Sequence, residues 1–330
     1  MKKDIFIFTN GTLRRKDNTV CYESENERKF IPVEELNSLY IFGEVDVNKR
    51  LLEFLGQKGI CLHFFNYYDY YVGTYYPREI YNSGLVILKQ AEHYLDYGKR
   101  LLLAKKFVEG AFSNIIIILR YYNSRGVTLN DEIEGIIMRT AEGNNASSIE
   151  TLMALEGNTR ELYYSCFNKI IQKDDFRFIR RTRNPPVDKI NALISFGNSL
   201  LYATILAEIY QTQLDPRIGY LHSTNRRKFS LNLDISEIFK PIIVDRTIFT
   251  LLNKGILNEH DFNKEFNGIV LNDSGKRKFV QEYNSKLETV INHPKLGASV
   301  SYKRIIRLEL YKLQKHLIEN EEYIPFVARW

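Results

Sequence analysis

From Ile5 to Tyr75 the apolar residues fall in short runs rich in Ile, Phe, Val and Tyr (IFIF, TVCYES, KFIPV, SLYIFG, ICLHFFN, YYVGTYY), separated by turn signals such as Asn10-Gly11 and Asp17-Asn18. Runs of this length and composition predict strands. One helix interrupts them: Leu51, Phe54 and Leu55 stand at helical spacing within Asn48 to Gln57, and Gly59 provides a stop. The tyrosines from Tyr67 to Tyr76 fit a β surface better than a base-stacking platform. After Pro77 the period changes. Ile80 to Tyr122 carries Leu88, Ala91, Leu95, Leu101, Ala104 and Val108 at helical spacing with few turn signals. The pattern predicts an α+β protein with a boundary near Pro77 to Ser83. A mainly-β domain over residues 1–80 precedes a larger all-helical domain over 81–330, with loops at Asn123 to Asp131, Asn184 to Val187, Gly255 to Asp261 and Asn272 to Lys276.

Two helical segments carry acids where apolar residues belong. Leu231 to Leu252 is apolar nearly all round, the pattern of a buried helix, yet it contains Asp234 and Glu237. Three residues apart, the two project to one side and could hold a cation. Ionised carboxylates out of water need such a partner, or an ion pair with Lys240 or Arg246. Pro241 removes the hydrogen bond to the Glu237 carbonyl, which predicts a kink beside the acids. Earlier, the capping box Ser147-x-x-Glu150 opens a helix whose core stripe runs Ile149, Leu152, Met153, then Glu156, then Tyr163 and Phe167. A glutamate on that stripe is anomalous, and Arg160 one turn on offers it an intrahelical partner. The segment RNPPVDKINALISFGNSLLY reads as scaffold, a Pro-Pro pair leading into a helix whose Gly197 allows close packing.

Charge adds a second theme. The formal net charge is +6, and residues 1–80 hold 11 of the 46 Lys and Arg but 12 of the 40 Asp and Glu, so the whole excess lies beyond them. Lys169 to Arg183 sets six basic against two acidic residues, interleaved with Phe176 and Phe178. It reads as a phosphate-contacting strip through Arg180, Arg181 and Arg183, or as a solvated face. Arg226, Arg227 and Lys228 follow His222 and could bind phosphates next to a metal. Three widely spaced cysteines without C-x-x-C suggest neither a disulfide framework nor a zinc site. The N-terminus has no apolar run of signal length, and Ile115 to Leu119 is too short to cross a bilayer, so a cytoplasmic protein without a membrane partner is expected.

Glu156, His222 and Glu237, with Asp234 beside them, form an oxygen-rich set with one imidazole, which suits Mg²⁺ or Mn²⁺. No G-x-S-x-G, G-x-x-x-x-G-K-[ST] or H-E-x-x-H is present, so serine hydrolysis, P-loop and zincin chemistry lack support. A metal-dependent phosphodiester reaction is the consistent reading.

In order, ALEGNTRELYY, RNPPVDKINALISFGNSLLY and DPRIGYLHSTNRRKFSLNLDISEIFKPIIVD resemble the successive signatures of CRISPR-associated protein one, the integrase-endonuclease of spacer acquisition. SLYIFGEVDVNKRLLEFLGQKGICLHFFN and YYVGTYYPRE extend the resemblance over nearly the whole chain. It implies an N-terminal β dimerisation domain, a helical catalytic domain, a homodimer and assembly with CRISPR-associated protein two. It also implies metal ligation by Glu156, His222 and Glu237, with Asp234 as the neighbouring catalytic acid. The implied reaction is transesterification on double-stranded DNA, in which the 3′-hydroxyl of a short fragment attacks a phosphodiester at the edge of a repeat in the CRISPR array. Water in its place gives endonuclease activity. Two departures from the family pattern stand out: Ser236 where a bulkier or acidic residue is common, and Lys240 where arginine is common. The alternatives are a stand-alone transposon-type integrase of the same fold and a non-catalytic DNA-binding scaffold.

Overall fold

The structure, a computed structural model, describes residues 2–77, 83–183, 185–222, 229–265, 268–293 and 297–329. The chain divides into two units, Met1–Ile80 and Tyr81–Trp330. The first contains β1 (Lys3–Ile7), β2 (Gly11–Lys16), β3 (Thr19–Glu23), β4 (Arg28–Pro32), β5 (Leu36–Ile41), β6 (Val45–Val47), α1 (Lys49–Lys58), β7 (Cys61–Phe65) and β8 (Tyr71–Tyr75). Its sheets have the orders β1-β5-β7-β8 and β4-β3-β2-β6. In the first sheet only β7 and β8 run antiparallel, and in the second only β2 and β6 run parallel. Leu13, Val20, Leu36, Leu39 and Leu62 pack with Leu51, Phe54 and Leu55 of α1 into one core. The helix starts at Asn48, whose side chain accepts from Leu51 N–H, and stops at Gly59 with φ 66°.

The second unit is mostly helical: α2 (Gly84–Leu95), α3 (Tyr97–Asn123), α4 (Asn130–Asn145), α5 (Ile149–Ser165), α6 (Phe167–Ile171), α7 (Lys189–Tyr210), α8 (Ser230–Lys240), α9 (Arg246–Asn253), α10 (Asp273–Glu288) and α11 (Tyr302–Glu319). Three details differ from the sequence expectation. Two antiparallel hairpins lie among the helices, β9 (Phe262–Glu265) with β10 (Gly268–Leu271), and β11 (Val290–His293) with β12 (Ala298–Ser301), so the unit is not all-helical. Their four-residue strands are too short to show a period against the helical background. The cap of α5 is Ser148, whose hydroxyl accepts from Thr151 N–H at 3.1 Å, one residue beyond the expected Ser147. Asn272, expected in a loop, caps α10.

The expected single helix from Leu231 to Leu252 is α8 and α9 joined by a π-helical segment, Pro241–Asp245. Pro241 has no N–H for the Glu237 carbonyl, and the wider winding absorbs that fault. Across from this segment lies α7, buried over almost all its length. It is long and apolar enough to cross a membrane, but its apolar surface is spent on the core. The packing explains Gly197: a Cβ there would lie 2.5 Å from Val244 Cγ1 and 2.9 Å from the Phe279 ring. We expect Gly197→Ala to destabilise the protein by about 1–3 kcal/mol through overpacking, read as a lower thermal midpoint. An unchanged midpoint would mean that α7 and the π segment can separate without cost.

Candidate active site

The loop before α8 runs back against the helix's first turn. Gly219 is required there, because a Cβ would sit 2.5 Å from the Ser230 carbonyl carbon and 2.8 Å from Asp234 Oδ2. The close approach lets Asp234, fully buried, gather the loop. Its carboxylate accepts from the backbone N–H of Tyr220 (2.5 Å), Leu221 (3.1 Å) and His222 (2.9 Å), and from His222 Nδ1 at 2.8 Å. A carboxylate can only accept, so Nδ1 carries the proton and Nε2 keeps its lone pair in the neutral ring, the arrangement common to metal-binding histidines. Burial would lower the His222 pKa, but the hydrogen bond and charge of Asp234, with Glu237 nearby, raise it above its ordinary value.

One turn on, Glu237 is 4 % exposed and lies between two cations. Lys240 Nζ donates to Oε1 at 2.5 Å, and Arg160 Nη2 donates to Oε2. Burial would raise the Glu237 carboxyl, yet Lys240 and Arg160 hold it far below the carboxylate range. Arg160 also reaches Glu156 on its own helix, Nε to Oε1 at 3.3 Å. Glu156 of α5 and Glu237 of α8 thus converge on one guanidinium. Asp234 and Glu237, though three residues apart on α8, do not share a cation: one holds the loop, the other faces α5.

Behind this pair, Asp245 closes the π segment, 1 % exposed. Burial pushes its carboxyl up to about 7 against the opposing charge of Arg160. Its Oδ2, the Tyr163 hydroxyl and Arg160 Nη1 are buried and make no hydrogen bond among the described residues.

The helix bearing Glu237 is fixed from the far side. Asn114, buried in α3, donates to the carbonyls of Ile238 (2.9 Å) and Phe326 (3.0 Å) and accepts from Ala328 N–H (2.9 Å). The C-terminal segment is itself held by Glu309, which accepts from Tyr323 OH and Phe326 N–H.

A family profile described as CRISPR associated protein Cas1 matches residues 5–285. A relative from Thermodesulfovibrio yellowstonii, CRISPR-associated endonuclease Cas1 2, is 57 % identical over 330 residues, covering all of both chains. The chain belongs to the Cas1 family. Among solved structures, a Cas1 protein from Thermotoga maritima superposes with TM-score 0.88 at 47 % identity, covering 99 % of this chain and 100 % of that one. The fold alone is shared with a casposase bound to its integration product, at TM-score 0.89, 22 % identity and coverage of 99 % and 94 %.

For a Cas1 chain the donor chemistry fits Mg²⁺ or Mn²⁺: two carboxylates, and an imidazole oriented by a third. Glu156 and Glu237 pair with Arg160, Lys240 pairs with Glu237, Asp234 pairs with His222, and the buried Asp245 carboxyl feels the charge of Arg160. Among the described residues no three acidic, histidine or cysteine side chains stand as a ready metal cluster. Arg160 takes the place between Glu156 and Glu237.

The basic strip divides. Arg180 and Arg183 are exposed, whereas Arg181 donates to Asn191 Oδ1 (2.8 Å) and Ser195 Oγ (3.0 Å) of α7. Arg226, Arg227 and Lys228 lie outside the described residues. Sequence reasoning passed over Asp245 and Asn114. Asp245 ends the same apolar run as the two acids, and Asn114 is a lone amide before Ile115 to Leu119, so each carried a signal of the kind that exposed Glu156.

Proposed function

We propose that this Cas1 chain is the integrase and endonuclease of CRISPR spacer acquisition, working on double-stranded DNA by transesterification with Mg²⁺ or Mn²⁺. The observation that carries this reading is the convergence of Glu156 and Glu237, from two separate helices, on a single buried cation. Glu156, Glu237 and His222 Nε2 would hold the metal. When bound, it would polarise the scissile phosphate and stabilise the oxyanions that develop there.

The chain's own residues prepare that chemistry. Asp234 fixes the imidazole through Nδ1 and so aims Nε2. Lys240 keeps Glu237 ionised at every physiological pH, and its ammonium lies 5.2 Å from the centre of the Tyr202 ring. Arg180, Arg183, Arg226, Arg227 and Lys228 would bind phosphates, with Arg181 bracing the strip against α7. The same reading takes the protein as a cytoplasmic homodimer joined through its β domains and assembled with CRISPR-associated protein two.

The casposase likeness keeps a transposon-type integrase as the second reading, and neighbouring genes would separate the two. A pure scaffold would have no use for a half-buried and a buried glutamate converging on one cation. The direct test supplies a short duplex with free 3′-hydroxyls and a plasmid bearing the cognate repeat array, with Mn²⁺. Joined products at the repeat edge are expected, and blocking the 3′ ends should prevent them. Binding without any joining or cleavage would favour the scaffold.

The DNA surface has its own test. Arg180→Gln with Arg183→Gln should weaken duplex binding across sequences and flatten the log–log salt slope by about 0.9 for each phosphate no longer neutralised. An unchanged slope would make the strip a solvated face.

A further inference from the structure

The position of Arg160 raises a problem if Glu156 and Glu237 take a divalent ion. A guanidinium and a dication cannot share the same two carboxylates, since like charges repel most strongly where water is excluded. Arg160 is nearly buried, its side chain 11 % exposed, and a buried cation stripped of its partner is strongly destabilising. It therefore needs a second acid within reach. The buried surroundings contain an unmatched charged donor and an unmatched carboxyl acceptor, Arg160 Nη1 and Asp245 Oδ2, neither with a hydrogen-bond partner among the described residues. Each is among the charges that act on the other. Tyr163, one turn beyond Arg160 on α5, has its hydroxyl beside Asp245 and acts on it, yet that hydroxyl too is buried without a partner at hydrogen-bond distance among the described residues.

We propose that Arg160 is a two-position placeholder: it bridges Glu156 and Glu237 in the metal-free protein and moves onto Asp245 when a divalent cation takes the two glutamates. The placeholder keeps both carboxylates converged and compensated without metal. Asp245 is then a positioning residue, which touches neither metal nor DNA but gives the displaced guanidinium a partner. Metal affinity is set by the difference between the two pairings of Arg160. This inference rests on the metal reading above.

The test is Mn²⁺ binding, by calorimetry on chelator-treated protein, for wild type, Asp245→Asn, Arg160→Gln and the double variant, with Glu237→Gln as control. Asp245→Asn should weaken Mn²⁺ binding about 10- to 100-fold, the range for losing a group that orients metal ligands. Arg160→Gln should tighten binding, because the competing cation is gone, while lowering the melting temperature of the metal-free protein. The decisive comparison is the double variant. On an Arg160→Gln background, Asp245→Asn should no longer weaken binding, since its effect acts through the arginine.

An equal loss on both backgrounds, or no loss on the wild-type background, would overturn the placeholder while leaving the metal site intact, provided Glu237→Gln abolishes Mn²⁺ binding. If wild type bound no Mn²⁺, or Glu237→Gln bound it normally, the metal reading and the placeholder would fall together.

Discussion

Glu237→Gln is expected to abolish both joining and cleavage of DNA, with strand transfer falling by roughly 10³-fold or more, the scale for removing a group that stabilises transition-state charge. It should also destabilise the metal-free protein. Glu237 is the shared partner of Lys240 and Arg160, both largely buried, and removing it leaves two cations facing a neutral amide. Uncompensated buried charge costs about 3–5 kcal/mol. Adding Lys240→Met should recover part of that stability and none of the activity, which separates folding from chemistry on one protein. The measurements are Mn²⁺-dependent strand transfer per folded molecule and thermal unfolding in chelator. Normal activity per folded molecule in the single variant would remove Glu237 from the reaction.

The second large effect is expected at Asp234. Its carboxylate receives four N–H groups, three from the backbone of residues 220–222 and one from His222. In Asp234→Asn, one oxygen becomes a second donor among donors. Each buried donor left unsatisfied costs about 1–3 kcal/mol, so a loss of roughly 2–4 kcal/mol is expected, together with loss of the imidazole's orientation.

The pH dependence should change as well. The folded-state pKa of His222 is raised, so its pairing stabilises the metal-free protein fully below the unfolded value of about 6.5. That contribution fades as pH rises through the folded value. Unfolding free energies from about pH 5.5 to 8 in chelator should therefore carry a downward component in wild type that Asp234→Asn lacks. Parallel curves would show that Asp234 does not set the histidine.

Much of this was legible in the sequence because burial makes polar residues conspicuous. Glu156 on an apolar stripe and two acids in an apolar helix announced themselves by cost, and the change from short apolar runs to helical spacing marked the two units. What stayed hidden is how the charges pair. The sequence offered Arg160 as a partner for Glu156 and Lys240 as one for Glu237. It could not show that Arg160 also reaches Glu237 across two helices, which turns a crowded acid into an outnumbered one, so that neutralising it leaves cations unpaired. The division of labour on α8 was hidden for the same reason. Asp234 and Glu237 share a helix face by spacing, but a tertiary contact at Gly219 gives one to the loop and leaves the other for α5. The hairpins of the helical unit escaped because four-residue strands have no period to detect.

The most direct measurement is a crystal structure with Mn²⁺, with diffraction recorded at the manganese edge. The expected result is one anomalous peak bonded to side-chain oxygens of Glu156 and Glu237 and to His222 Nε2, at roughly 2.0–2.3 Å, with Arg160 withdrawn from between the glutamates. A peak elsewhere, or Arg160 still bridging Glu156 and Glu237 at saturating Mn²⁺, would contradict it.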